Sequence, residues 1–102
     1  MTQKEIEDEV FFNKDTQKWH LKSSNKLCNG KIIKHYKNGQ IEYERNYKDG
    51  LEHGKQLWFY ENGEIMTEEN YKNGKRDGIQ IDFERDGSIK WRGNYKNGKR
   101  VG

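Results

Sequence analysis

The chain has no proline and a single cysteine in 102 residues. Without proline, no strand position loses its backbone N–H, which suits strands that bond on both sides. A lone Cys28 excludes an internal disulfide and any CxxC metal or redox pair, and it fits a reducing compartment. No apolar run approaches the roughly 18–20 residues of a membrane helix. Met1 to Val10 is charged and lacks the apolar stretch of a secretory signal, so the expected address is cytoplasmic. Apolar residues are also scarce, at 29% against 36% charged, a balance that on its own leans towards disorder.

What is present argues for a folded chain, and for one domain. Aromatics make up 13% of the residues, more than disordered chains carry. Glycines stand at 30, 54, 78 and 102, each 24 residues from the next. Gly39/Gly63/Gly87, Tyr47/Tyr71/Tyr95 and Gly50/Gly74/Gly98 keep the same period. A fixed period of this size signals a stacked supersecondary unit, and stacked units present extended surfaces rather than enclosed pockets. Three units follow, 30–53, 54–77 and 78–101, with Gly102 in the opening position of a fourth. Residues 1–29 keep the period weakly. Trp19 falls by count in the column of Tyr43 and Trp91, and 10–29 reads as a degenerate first repeat capping the stack. Thr2 and Glu5 suggest a capping box for a short helix over 3–9.

Each unit holds a short alternating run, an Asn-Gly or Asp-Gly, a second alternating run, and another Asn-Gly or Asp-Gly. This is a strong hairpin signal, because both residue types tolerate the positive φ of tight turns. The expected fold is therefore all-β: tandem hairpins stacked into one elongated, twisted antiparallel sheet. A three-residue first turn, with Gly39 left-handed and a bulge, sets Ile41 opposite His35, Ile65 opposite Phe59 and Ile89 opposite Phe83. That register predicts one aromatic-aliphatic face built from Ile33/Leu57/Ile81, His35/Phe59/Phe83, Ile41/Ile65/Ile89, Tyr43/Thr67/Trp91 and Tyr47/Tyr71/Tyr95. The other face is predicted to be charged, with Trp58, Tyr60 and Tyr36 as exceptions on it.

Catalytic chemistry finds no support. His20, His35 and His53 share no column and no ligand spacing, and His35 reads as a packed residue in a phenylalanine column. Cys28 lies in Leu27-Cys28-Asn29-Gly30, which reads as a turn rather than a nucleophile site. The acidic turns are flanked by lysines and do not converge as calcium ligands do. No phosphate-binding glycine motif is present. The expectation is a non-enzyme with no cofactor and no metal.

Net charge is +3, unevenly spread. Residues 1–39 hold 8 basic and 5 acidic side chains, 40–70 hold 3 and 8, and 71–102 hold 9 and 4. The middle is acidic and the end basic, a pattern that can orient a charged partner.

The Y-x-N-G segments at 36–39 and 60–63, with N-Y-K-[ND]-G at 46–50, 70–74 and 94–98, resemble the MORN-repeat variant family. The resemblance covers about 30–102. It implies hairpin repeats that bind other proteins, and the family is common in bacterial proteins often labelled antitoxin-like. Eukaryotic relatives are linked to membranes, but this chain lacks their Y-x-G-x-W core, since Lys48-Asp49-Gly50 and Lys72-Asn73-Gly74 follow Tyr47 and Tyr71. The leading expectation is thus a protein-binding module that neutralises a toxin or effector, as antitoxin, immunity protein or nuclease inhibitor. Its candidate contacts are Tyr43, Tyr47, Tyr71, Trp91 and Tyr95 on one face and Trp58 and Tyr60 behind it. Acidic Glu42, Glu44, Glu68 and Glu69 would meet a basic partner. The alternative is a binder of anionic membrane or nucleic acid through Lys72, Lys75, Arg76, Lys96, Lys99 and Arg100. A third reading is self-assembly through open sheet edges.

Overall fold

The computed structural model describes residues 5, 6 and 9–102, with Glu5 and Ile6 by backbone alone. Among the described residues twelve strands follow in order: β1 Glu5–Ile6, β2 Val10–Asn13, β3 Lys18–Leu21, β4 Gly30–His35, β5 Ile41–Lys48, β6 Leu51–Glu52, β7 Gly54–Phe59, β8 Ile65–Lys72, β9 Lys75–Arg76, β10 Gly78–Phe83, β11 Ile89–Lys96 and β12 Lys99–Arg100. The helix expected over 3–9 lies mostly outside the described residues. Of its described positions, Glu5 and Ile6 form β1, parallel to β4, and Glu9 lies in no helix or strand. The main sheet has ten strands in the order β1-β4-β5-β7-β8-β10-β11-β12, with β6 beside β5 and β9 beside β8. The fold is all-β, and apart from β1 its pairings are antiparallel.

Each unit contains two turns of different kinds. The Tyr36 and Gly39 amides donate to the Gln40 and Tyr36 carbonyls, at 2.8 and 3.0 Å, which closes a three-residue turn around Lys37-Asn38-Gly39. Gly39 sits at φ 89°, and Asn38 Oδ1 accepts from the Gln40 amide. The second turn has two central residues, both left-handed: Asp49 at 51° and Gly50 at 79° in the first unit. This is the mirror-image turn that matches strand twist, and it requires residues like Asp-Gly or Asn-Gly.

The first-turn register is as the sequence predicts: His35 faces Ile41, Phe59 faces Ile65 and Phe83 faces Ile89. The face assignment needs correction. A bulge follows at once, because Lys34 pairs with Tyr43 and leaves Glu42 extra. Met66 and Lys90 are extra in the other units. One extra residue reverses the alternation of every side chain beyond it. The predicted single apolar face is therefore split in two. Tyr43, Tyr47, Tyr71, Trp91 and Tyr95 lie on one face. Ile33, His35, Ile41 and their columns lie on the other, with Glu44, Glu68 and Arg92. Trp58 pairs directly with Tyr43 and so shares the aromatic face rather than standing behind it.

Neighbouring units share little backbone ladder. Strands β5 and β7 pair only at Tyr43 with Trp58 and Glu44 with Leu57. Side chains bridge the rest. Gln56, fully buried, accepts from the Asn46 amide through Oε1 at 3.0 Å and donates to the Asn46 carbonyl through Nε2 at 2.7 Å. At the first-turn end, the Tyr36 hydroxyl donates to the Phe59 carbonyl at 2.6 Å and Tyr60 to Phe83 at 2.7 Å. At the other end, the amides of Gly50, Gly74 and Gly98 donate to the carbonyls of Cys28, Glu52 and Arg76.

The buried apolar core is small, consisting of Cys28, Ile32, Ile33 and Tyr47. Cys28, Ile32 and Tyr47 cluster where the β2–β3 hairpin meets the first unit through Val10, Trp19 and Leu21, and Ile33 is buried on the other face. Trp19 is four residues away from the place that counting by 24 gives it. The Cys28 amide donates to the Trp19 carbonyl, whereas Glu52 pairs with Tyr47, because the turn after β3 is longer. His20 is buried, with Nε2 2.8 Å from the Thr16 hydroxyl and Nδ1 donating to the Asn25 carbonyl at 2.9 Å. His35, expected to be packed, is exposed.

Candidate functional site

On the aromatic face, rings and charges converge. Its centre is Arg45, which the sequence did not single out. The Arg45 guanidinium carbon lies 4.7 Å from the Trp19 ring centroid, 5.2 Å from Tyr47, 5.6 Å from Tyr43 and 5.8 Å from Trp58. These rings come from the β2–β3 hairpin, the first unit and the second unit, so one cation ties three segments together. Burial pushes the Tyr47 hydroxyl far above the usual tyrosine range, although Arg45 opposes the shift. Burial likewise raises the Glu52 carboxyl, against the pull of Arg45 and the indole hydrogen bond from Trp19, with Glu69 adding to the rise.

The charge pair inverts in the next unit. Glu69 stands in the column of Arg45, and Arg76 in the column of Glu52. Glu69 is buried and accepts from Arg76 Nη2 at 3.0 Å. Arg76 also reaches the Tyr71 hydroxyl at 3.4 Å and lies 5.3 Å from the Tyr95 ring. In the third unit the column holds Gly93, and Trp91 lies over it: a Cβ on Gly93 would meet the Trp91 ring at 2.7 Å. Arg100 covers Trp91 at 5.1 Å. The face is thus a row of stacked guanidinium–ring pairs.

The predicted partner contacts divide accordingly. Tyr43, Tyr47, Trp58, Glu69, Tyr71, Trp91 and Tyr95 are brought together on this face. Glu44 and Glu68 are on the opposite face, 3.7 Å from Lys31 and 3.9 Å from Lys55. Glu42 is a bulge residue. Tyr60 sits at the first-turn end and lines a concavity of about 340 Å³ with Tyr36, Glu61, Asn62, Met66 and Arg85. Arg85 lies 5.5 Å from the Tyr60 ring.

The predicted anion contacts also divide. Lys72, Lys75, Lys96 and Lys99 are exposed beside the second turns, and Lys48 joins them. Arg76 and Arg100 are engaged on rings instead. The missed residues are Arg45, Glu52 and Gln56: the column Arg45/Glu69/Gly93 repeats nothing and Glu52 gives way to Arg76 and Arg100, whereas Gln80 repeats Gln56 and was a signal that could have been read.

Among the described residues, no three side chains of His, Cys, Asp or Glu gather as metal ligands. No described helix is long and apolar enough to cross a membrane. Neither a curated protein nor a solved structure matches the chain. Residues 29–49 and 52–73 match the family model of the MORN repeat variant, so the first two units are similar to that repeat.

Proposed function

We propose that the chain is a non-enzymatic protein-binding module that neutralises its partner by steric cover and charge, as an antitoxin, immunity protein or inhibitor would. One observation supports this best. The second and third units present Trp58, Tyr71, Trp91 and Tyr95 half-buried on a hydrogen-bonded sheet, with charged side chains between them. Aromatic and arginine side chains on a preorganised frame are the residue types that dominate protein interfaces. The acidic 40–70 stretch favours a basic partner. A cytoplasmic address belongs to the same proposal and is supported by Cys28, a single cysteine that is fully buried.

Affinity capture from native cells tests the reading, with the wild-type chain and a Tyr71→Ala/Trp91→Ala double variant as baits. The expected result is one protein held by the wild type, lost by the folded variant, and re-forming a defined complex when both are purified. Recovery of the bait alone would end the partner reading and leave self-assembly through sheet edges. A second reading has its own observation: Lys72, Lys75, Lys96 and Lys99 stand exposed along stacked turns. Binding of RNA or anionic vesicles that falls steeply with salt would support it.

A further inference from the structure

The repeat supplies its own control for the concavity at the first-turn end. Asn62 Nδ2 donates to the Arg85 carbonyl at 3.3 Å, and Asn38 Nδ2 donates to the Glu61 carbonyl at 2.9 Å. The Tyr60 and Tyr36 hydroxyls are likewise spent on equivalent carbonyls. Glu61 therefore stands to Tyr36 as Arg85 stands to Tyr60. The backbone is the same at both places and the side chain is opposite in charge. Arg85 lays its guanidinium over Tyr60 at 5.5 Å. Beside Tyr36 the corresponding position carries a carboxylate, and among the described residues no cation lies over the Tyr36 ring.

The face of a phenol ring attracts cations and repels anions. A ring with a neighbouring carboxylate is a stronger place for a cation than the ring alone. We propose that this concavity receives an arginine side chain of a partner protein, with its guanidinium on Tyr36 and paired to Glu61. Arginine fits better than lysine because a planar guanidinium can stack and form a two-point carboxylate pair at once. Met66 supplies an apolar wall for the aliphatic stem. Arg85, held at the Tyr60 end, sets the polarity, so the incoming cation enters at the Tyr36 end. The inference rests on the protein-binding reading and names the chemistry that the partner must present.

An NMR titration with acetyl-Gly-Arg-Gly-amide tests it. The expected result is saturable shifts of the Met66 methyl, Tyr36 ring and Glu61 signals, with a dissociation constant on the order of millimolar. The citrulline counterpart, which keeps the shape and loses the charge, should bind at least about tenfold more weakly. Glu61→Arg rebuilds the Tyr60–Arg85 arrangement at Tyr36 and should abolish the shifts. Glu61→Gln, which leaves the surface closer to wild type, should weaken them about tenfold. Equal binding of the citrulline or a glutamate tripeptide, or undiminished binding by both variants, would overturn the proposal. Free L-arginine binding as tightly as the tripeptide would overturn the assignment to a protein side chain. If the tripeptide fails to bind while a partner is still captured, this inference falls and the binding reading stands. The reverse outcome removes the binding reading and the partner assignment with it.

Discussion

Arg45 sits in the middle of a strand with rings on every side, where a packing residue would be expected. A guanidinium can take that place because its faces are weakly hydrated and stack well on aromatics. Arg45→Ala should therefore cost about 2 kcal/mol, from several cation–π contacts and lost packing together, and Arg45→Lys should recover part of it. Urea unfolding of the three proteins checks this. Glu52 leads to a pH prediction. Its folded-state pKa is raised mainly by burial, so the folded state binds a proton more readily than the unfolded chain does. The contribution is fully present below the unfolded glutamate pKa of about 4.3 and is lost as pH rises through the raised folded value. Unfolding free energy, followed over that window, should show this component in the wild type and lack it in Glu52→Gln. An unchanged profile in the variant would contradict the assignment. Neither residue was legible beforehand, since the column Arg45/Glu69/Gly93 repeats nothing.

At the scale of the element, the turns carry the information that the sequence shows most clearly. Asn-Gly and Asp-Gly pairs determine where strands reverse and which residues face each other at the first turn. They do not announce the bulge that follows, because Glu42, Met66 and Lys90 share no chemistry. That one hidden residue reversed half of the expected face. The same logic hid Trp19, whose longer turn moves it out of the count. Two glycine substitutions separate conformational cost from crowding. Gly39 has φ 89° and open space around its missing Cβ. Gly50 has φ 79°, but its Cβ would meet Leu27 Cδ2 at 2.8 Å, Lys18 Cβ at 2.9 Å and the Trp19 carbonyl at 3.1 Å. Gly39→Ala should cost about 1 kcal/mol for the left-handed backbone alone. Gly50→Ala should cost at least about 1 kcal/mol more, because it pushes the β2–β3 hairpin off the first unit. Thermal unfolding of the pair decides the order. Gln56 is the other element-scale device. Gln56→Leu strands the Asn46 amide in a buried seam and should cost about 2 kcal/mol, read by the same melts.

For the whole molecule, the composition and the architecture point in opposite directions. A chain with 29% hydrophobic residues has too little apolar surface for a two-layer core, and among the described residues the buried hydrophobic side chains are those of Cys28, Ile32, Ile33 and Tyr47. The structure answers with repetition. Each unit is fastened to the next by hydrogen bonds at both ends and by rings stacked on guanidinium groups between them. In such a stack, stability is the sum of unit and interface contributions. The positions that differ between units, such as Glu61 against Arg85, remain available for recognition. Native-state hydrogen exchange resolved by residue tests this account most directly. It predicts protected amides in β4, β5, β7, β8, β10 and β11 together, with the Asn46 amide protected in the wild type and exposed in Gln56→Leu. Fast exchange throughout, or protection confined to the small core around Ile32 and Tyr47, would contradict it.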